Sequence, residues 1–234
     1  MKKNNPINAV CITADVIGSR KNGKEAGLDD MVSWLNEKYG RQSIIPFTKR
    51  NGDEIFGILA DFSDAYYGLK DLLMLSNQKN IPLYVGVGLG AVNKQHVDNP
   101  HTVNGTAIWN AADALKLVKE NASTVKYFRN DGATFRYFLC AGNNDVPYKL
   151  LNYMVTFLFE KIGKRTEKQT KAVDVAEQFP VLTHEEIGKK LGYEKNAASS
   201  VGKVLLRAEY NFVHETELEI IKLLDQLQMA KQVL

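Results

Sequence analysis

Lys49-Arg50-Asn51-Gly52-Asp53-Glu54-Ile55-Phe56-Gly57 decides how the first half of this chain folds. Asn-Gly between two β-prone runs is a strong short-range hairpin signal, because both residues accept the left-handed backbone of a tight turn. Residues 44–49 and 55–60 therefore read as paired strands. Upstream lies Ile12-Thr13-Ala14-Asp15-Val16-Ile17-Gly18-Ser19-Arg20, where the apolar run 9–14 stops at a carboxylate and turns through Gly-Ser. A continuous apolar run of this length reads as a strand buried on both faces.

Working outward, residues 29–39 carry Met31, Trp34, Leu35 and Lys38 at helical spacing, with Asp29 and Asp30 suited to the helix start. Asp61-Phe62-Ser63-Asp64 reads as the cap of a second helix running to about residue 78. Residues 83–92 read as a strand in which Val85, Val87 and Leu89 alternate with Gly86, Gly88 and Gly90. Glycine at every second position leaves one face bare. The bare face reads as an approach surface for a nucleotide base or a dimer partner, or else as the bed of a tightly packed helix; the former is the expectation. A polar loop follows, then a helix over 106–119, then strands at 125–128 and 135–139 around Asn130-Asp131-Gly132.

The order β-α-β-β-α-β, then αββ, predicts an α+β chain beginning with the split βαβ arrangement of a ferredoxin-like fold. In that fold the first strand is central, which brings Asp15 near the Asp53 corner. Two carboxylates at neighbouring strand ends suit a hard divalent cation that also carries phosphates. Asp15 and Asp53 are the expected metal pair, for Mg²⁺ or Mn²⁺. A strand-end aspartate that caps a turn and a solvated hairpin aspartate are the plainer readings. Gly18, Ser19 and Arg20 read as a phosphate-cradling turn or an ordinary polar one.

The 234 residues suit one large or two small domains, and 44% apolar residues suffice for a packed core. No run reaches the length of a membrane span. Lys2 and Lys3 precede an apolar run, but Asp15 ends it and no cleavage pattern follows, so a signal peptide is not expected. Cys11 and Cys140 lie in strand-like runs without metal-ligand spacing, which suggests buried thiols of a reducing cytoplasm. Four scattered histidines do not suggest zinc. The net charge of +3 neither demands nor excludes nucleic acid.

The pattern changes near residue 145, which predicts domains at 1–145 and 146–234. Residues 148–162 are apolar and helix-patterned, 164–171 basic and polar, and 174–179 a short helix. Thr183 to Tyr193 and then residues 196–210 read as a helix-turn-helix. Thr183 and Glu186 form a capping box, Gly192 allows the turn, and Val201 and Leu205 anchor the second helix. Asn196, Ser199, Ser200, Lys203 and Arg207 are the expected DNA contacts. A three-helix protein-interaction module is the plainer alternative, since this half is nearly balanced in charge and DNA binders usually show a basic footprint.

Ala14-Asp15-Val16-Ile17-Gly18 and Lys49-Arg50-Asn51-Gly52-Asp53, in this order, resemble the metal segments of class III nucleotide cyclases. The glycine strand 85–90 and the helix start at 105–115 are similar to the elements that follow in those proteins. Gly52 to Phe56 also resembles the diguanylate cyclase signature on a related palm. Over most of its length the chain resembles the SatD family, through Asp15 to Arg20, Gly52 to Phe56, Val85 to Gly90, Asn104 to Ala107 and Thr183 to Arg207. The resemblance implies a cyclase-type palm and a (winged) helix-turn-helix domain in a cytoplasmic, regulatory homodimer.

It also implies a nucleoside triphosphate or other nucleotide as ligand, with Lys49 against the base and Asn110 orienting the ribose as a catalytic residue. A plain strand lysine is the alternative for Lys49. Cyclases then carry an arginine that neutralises charge on the transferred phosphate, a contribution of several kcal/mol in phosphoryl transfer; here that position is Ala114. The leading expectation is therefore a nucleotide-responsive DNA-binding regulator. A nucleotidyl cyclase or related phosphoryl-transfer enzyme is the rival, and a degenerate palm serving as a dimerisation scaffold is the third.

Overall fold

The computed structural model describes residues 6–19, 27–93, 100, 102–120, 126–129, 134–142 and 147–232, with backbone alone at 126–129 and 231–232. Arg20, His96, His101 and the Asn130-Asp131-Gly132 turn lie outside the described residues. The chain forms two compact units, 1–156 with 220–234, and 157–219. The sequence placed the division at 145, whereas residues 220–234 belong with the first unit. Asn8 Nδ2 donates to the Gln228 carbonyl, and the Gln228 side chain bonds the backbone of Ala60 and Phe62.

The first unit is a mixed α+β structure. Its elements run β1 (Pro6–Val16), α1 (Leu28–Tyr39), β2 (Ser43–Arg50), β3 (Glu54–Leu59), α2 (Asp64–Lys79), β4 (Leu83–Asn93), α3 (Thr106–Lys119), β5 (Lys126–Arg129) and β6 (Thr134–Cys140). Among the described residues the sheet has six strands, in the order β2-β3-β1-β4-β6-β5. The first four strands pair antiparallel with β1 central, and β6 adds to β4 in parallel. That is the expected split βαβ order with an αββ extension.

The hairpin corner has the backbone its sequence demands: Asn51 and Gly52 have φ of 51° and 90°. Pro46 lies within a register shift of β2 between Ile45 and Thr48, and β2 is an edge strand, where proline is tolerated. Side chains alternate across the sheet. One face buries Val10, Ile12, Ala14, Ile55, Val85 and Val87. Gly68 of α2 abuts this face, since a Cβ there would lie 2.4 Å from Ile12 Cδ1. The other face packs Ala9, Cys11, Phe56 and Ile58 with Ala107 and Ala111 of α3. Burial holds the Cys11 thiol well above its usual range.

The glycine strand corrects one expectation. Its bare face is filled from within the chain, not kept for a ligand. A Cβ on Gly88 would lie 2.0 Å from the Ala107 carbonyl oxygen, and one on Gly86 2.3 Å from that of Ala111. α3 lies on β4 at a distance only glycine permits. Within the expected cap Asp61-Phe62-Ser63-Asp64, the N-cap Ser63 makes no side-chain cap bond, and the Asp64 N–H donates to the Asp61 carbonyl.

Residue 148 begins α4 (Tyr148–Gly163), followed by α5 (Glu167–Gln178), α6 (His184–Lys190), α7 (Ala197–Arg207) and α8 (Tyr210–Gln232). α5 begins seven residues earlier than the expected short helix. Thr166 and Gln169 make a reciprocal capping box that outweighs the polar character of the run. α7 stops at Arg207, and not at residue 210, because Glu209 adopts a left-handed φ of 50° before α8. Ala172, Val173, Ile187, Val201 and Leu205 form the core of the second unit. The Thr183–Glu186 box starts α6, and Gly192 turns with φ of 79°. None of the helices described is long and apolar enough to cross a membrane.

Candidate functional site

Strand register assembles the most charged row on the α3 face of the sheet. Asp15 of β1 stands opposite Glu54 of β3 and Tyr84 of β4. Glu54 in turn stands opposite Arg50 of β2, and Tyr84 opposite Arg136 of β6. Directly opposed residues on antiparallel strands carry Cβ atoms about 5 Å apart. Two carboxylates at that separation repel unless cations intervene. Lys119, in the last turn of α3, places its ammonium 2.6 Å from Asp15 Oδ2. Arg50 stacks its guanidinium 3.2 Å from the Phe56 ring centre, with Nε buried and without a hydrogen-bond partner among the described residues. Burial lowers the Arg50 pKa, and Glu54 beside it works the other way.

Hydrogen bonds fix the carboxylates further. Thr13, buried two residues before Asp15, donates to Glu54 Oε1 at 2.7 Å, and Asn51 Nδ2 meets Glu54 Oε2 at 3.3 Å. Ser19 donates to Asp53 Oδ2 at 2.6 Å, while the Asp53 carbonyl accepts from the Val16 N–H at 3.1 Å. Asp15 and Asp53 do share one corner, as the first strand's central place requires. Their side chains have different immediate partners: Asp15 faces Lys119, and Asp53 turns to the Gly18–Ser19 bend. Gly18 has φ of 71°, the left-handed turn that aims Ser19 inward.

The remaining sequence candidates lie elsewhere. Lys49 pairs with Ile55, hence projects from the opposite face, and its ammonium bonds Asp29 of α1 at 2.7 Å. Asn110 is buried, and its amide donates to the Leu89 carbonyl at 2.7 Å. It packs beside Gly88, which pairs with Cys11, four residues from Asp15. That spacing is roughly 13 Å along a strand. Ala114 is fully buried.

In the second unit, Asn196, Ser199, Lys203 and Arg207 are exposed and Ser200 is half-buried. The spacing of Ser199, Ser200, Lys203 and Arg207 places them on one strip of α7, opposite buried Val201 and Leu205, and Asn196 precedes that helix with a left-handed φ of 51°. Leu206, 79% exposed, flanks that strip.

Sequence reasoning missed Thr13, Lys119, Tyr84, Arg50 and Arg136 as a group. Arg50 and Glu54 were legible as a cross-strand pair from the hairpin alone. Tyr84, Arg136 and Lys119 join the row only through strand order and the path of α3.

As donors, Asp15, Asp53 and Glu54 have the oxygen chemistry of a hard-cation site, for which two carboxylates plus phosphate oxygens suffice. Among the described residues no group of three or more His, Cys, Asp or Glu side chains is gathered as a metal cage. Lys119 supplies the positive charge at Asp15, so a cation binding there would displace it.

No protein-family model matches the chain, and no curated protein matches it. Among solved structures it is similar to a bacterial light-regulated adenylyl cyclase, at 11% identity and a TM-score of 0.35, over 68% of this chain and 59% of that one. It is also similar to the guanylyl cyclase Cya2, at 10% identity and 0.26, over 62% and 98%. A third is the catalytic core of a rhodopsin-guanylyl cyclase with converted specificity in complex with ATPalphaS, at 12% identity and 0.26, over 58% and 97%. The chain thus spans less than two thirds of the first of these proteins. Likeness at these values leaves the activities of those proteins with those proteins.

Proposed function

We propose that this chain is a SatD-like, nucleotide-responsive regulator. Its sheet unit binds a nucleotide with Mg²⁺ or Mn²⁺, and its helical unit contacts DNA through α7. The observation that carries the first half is the Asp15–Glu54 cross-strand pair with Asp53 at the same corner. Opposed carboxylates destabilise an antiparallel pair, so a fold that keeps them together has a use for their charge.

In this reading Asp15 and Glu54 hold the cation with help from Asp53, and Lys119 withdraws. The cation supplies charge neutralisation for the phosphates. Arg50, Thr13 and Ser19 keep the carboxylates oriented. Two sheet units pair as a homodimer, and the nucleotide changes that pairing and so the spacing of two α7 helices. Operator half-site spacing follows dimer geometry.

Binding is favoured over turnover on two counts. Ala114 offers no guanidinium for a transferring phosphate, and the Asn110 amide is already committed to the Leu89 carbonyl. The test is calorimetric titration of each nucleoside triphosphate with Mn²⁺ into wild type, Asp15→Asn and Glu54→Gln. Metal-dependent binding that drops at least tenfold in both variants supports the proposal. Binding indifferent to both sinks it, and product formation that depends on Asp15 would move the protein to the enzymes.

A further inference from the structure

The helical unit contains a second concentration of charge that the sheet does not share. A cleft of about 150 Å³ is lined by Lys161, Lys164, Arg165, Gln169, Arg207 and Glu209. It lies where the chain leaves α4, enters α5, and turns from α7 into α8. Lys161 and Glu209 neutralise one another at 2.5 Å. Lys164, Arg165 and Arg207 remain as an excess of three positive charges around one small cleft.

Helix-end electrostatics explains part of this arrangement. Lys161 and Arg207 sit in the last turns of α4 and α7, where cations complement the helix dipole. It does not explain Arg165. That guanidinium is anchored by Nε donating to the Ala208 carbonyl at 3.3 Å, and its Nη2 is buried with no hydrogen-bond partner among the described residues. A buried, charged donor left unmet is costly. Glu209, the one carboxylate among the described residues lining the cleft, has a left-handed backbone and is taken by Lys161. The fold thus fixes a guanidinium, surrounds it with like charge and assigns the local acid elsewhere.

We propose that this cleft is an anion site for a phosphate group, with Arg165 as its fixed donor and Lys164 and Arg207 closing on the phosphate oxygens. Arginine's planar fork and lysine's mobile ammonium suit a tetrahedral oxyanion. The cleft has room for one such group. The phosphate comes either from a nucleic-acid backbone or from a small phosphorylated molecule. The site stands independently of the metal–nucleotide reading of the sheet.

The test is an NMR titration of the full-length protein with inorganic phosphate, against chloride at equal ionic strength. Saturable shifts are expected at Lys164, Arg165 and Arg207. Affinity is expected to fall at least fivefold in Lys164→Gln and in Arg207→Gln, and further in Arg165→Gln. Lys116→Gln, on α3, is expected to change nothing. Should Arg165→Gln unfold, the Lys164→Gln and Arg207→Gln affinities decide the outcome by themselves. A short mixed-sequence duplex then identifies the source. Displacement of phosphate by the duplex assigns the backbone, and undisturbed phosphate binding assigns a small molecule. No saturable phosphate binding beyond chloride, or affinity unchanged in both Lys164→Gln and Arg207→Gln, overturns the proposal. Neither result depends on whether Asp15→Asn has lost nucleotide.

Discussion

The Lys119 ammonium lies 2.6 Å from the Asp15 carboxylate, so the last turn of α3 supplies the cation that the strand-end acid requires. The lysine is half-exposed and the aspartate one-fifth exposed, which makes the pair a displaceable one. Exposed ion pairs contribute about 0.2–1 kcal/mol. Lys119→Met is therefore expected to change stability by no more than that. It is expected to tighten Mn²⁺ binding roughly threefold to tenfold by removing the competing charge, since each factor of ten is about 1.4 kcal/mol. Electron paramagnetic resonance titration of Mn²⁺ measures this. Weaker binding in the variant would mean that Lys119 holds the ligand and does not compete with it.

Gly88 sets how closely α3 lies on the sheet, because a Cβ would meet the Ala107 oxygen at 2.0 Å and the Ala111 nitrogen at 2.3 Å. Both are backbone atoms and neither can rotate away. Gly88→Ala is expected to cost about 3 kcal/mol or more, the upper end of overpacking effects. Gly192→Ala has open space, but at φ of 79° it is expected to cost only about 1 kcal/mol. Urea unfolding of both variants gives the ranking, and equal costs would contradict the close approach of α3.

Asp64 gives the sheet unit a pH dependence. Burial first, and then the neighbouring Asp61, push its pKa up to about 6, and its Oδ2 is buried without a hydrogen-bond partner among the described residues. The folded chain therefore holds this proton more tightly than the unfolded one. Between about pH 4 and 6 the folded state binds more protons, so stability falls as pH rises through that window. Asp64→Asn is expected to be more stable than wild type at pH 7–8, by on the order of 1–2 kcal/mol, and no more stable at pH 4. Thermal unfolding at the two pH values checks both the sign and the window.

Much of the sheet was legible because its signals are local. Asn51-Gly52 dictates a hairpin, and the 9–14 run dictates a buried strand. Once those strands are neighbours, Asp15 and Asp53 must share a corner. What the sequence did not reveal depends on contacts between distant residues. The glycine alternation of β4 states that something comes close, but it does not say whether a ligand or a helix does so. Small Ala107 and Ala111 at helical spacing were the missing half of that signal. Lys119 was unremarkable until α3 was known to run along β4 toward Asp15. The capping box Thr166-Glu167-Lys168-Gln169 was present in the sequence, but the polar run around it concealed the start of α5.

The strip on α7 makes the nucleic-acid half of the proposed function measurable. Lys203 and Arg207 are exposed one turn apart, on the side of the helix opposite Val201 and Leu205. If both meet phosphates, each neutralises one charge and releases the counterions held there. Lys203→Ala combined with Arg207→Ala is then expected to weaken duplex binding and to lower the salt slope by about 2. Neither side chain helps bury the core, so the stability lost is expected to be no more than that of one helix-end cation, about 0.3–1 kcal/mol. On the same condition, Ser199→Ala is expected to change discrimination between duplex sequences more than overall affinity, because a hydroxyl there would meet base edges and contribute little charge. Fluorescence anisotropy across a range of KCl concentrations resolves slope from affinity. An unchanged slope in the double variant would remove α7 from the interface and leave the helical unit as a protein-binding module.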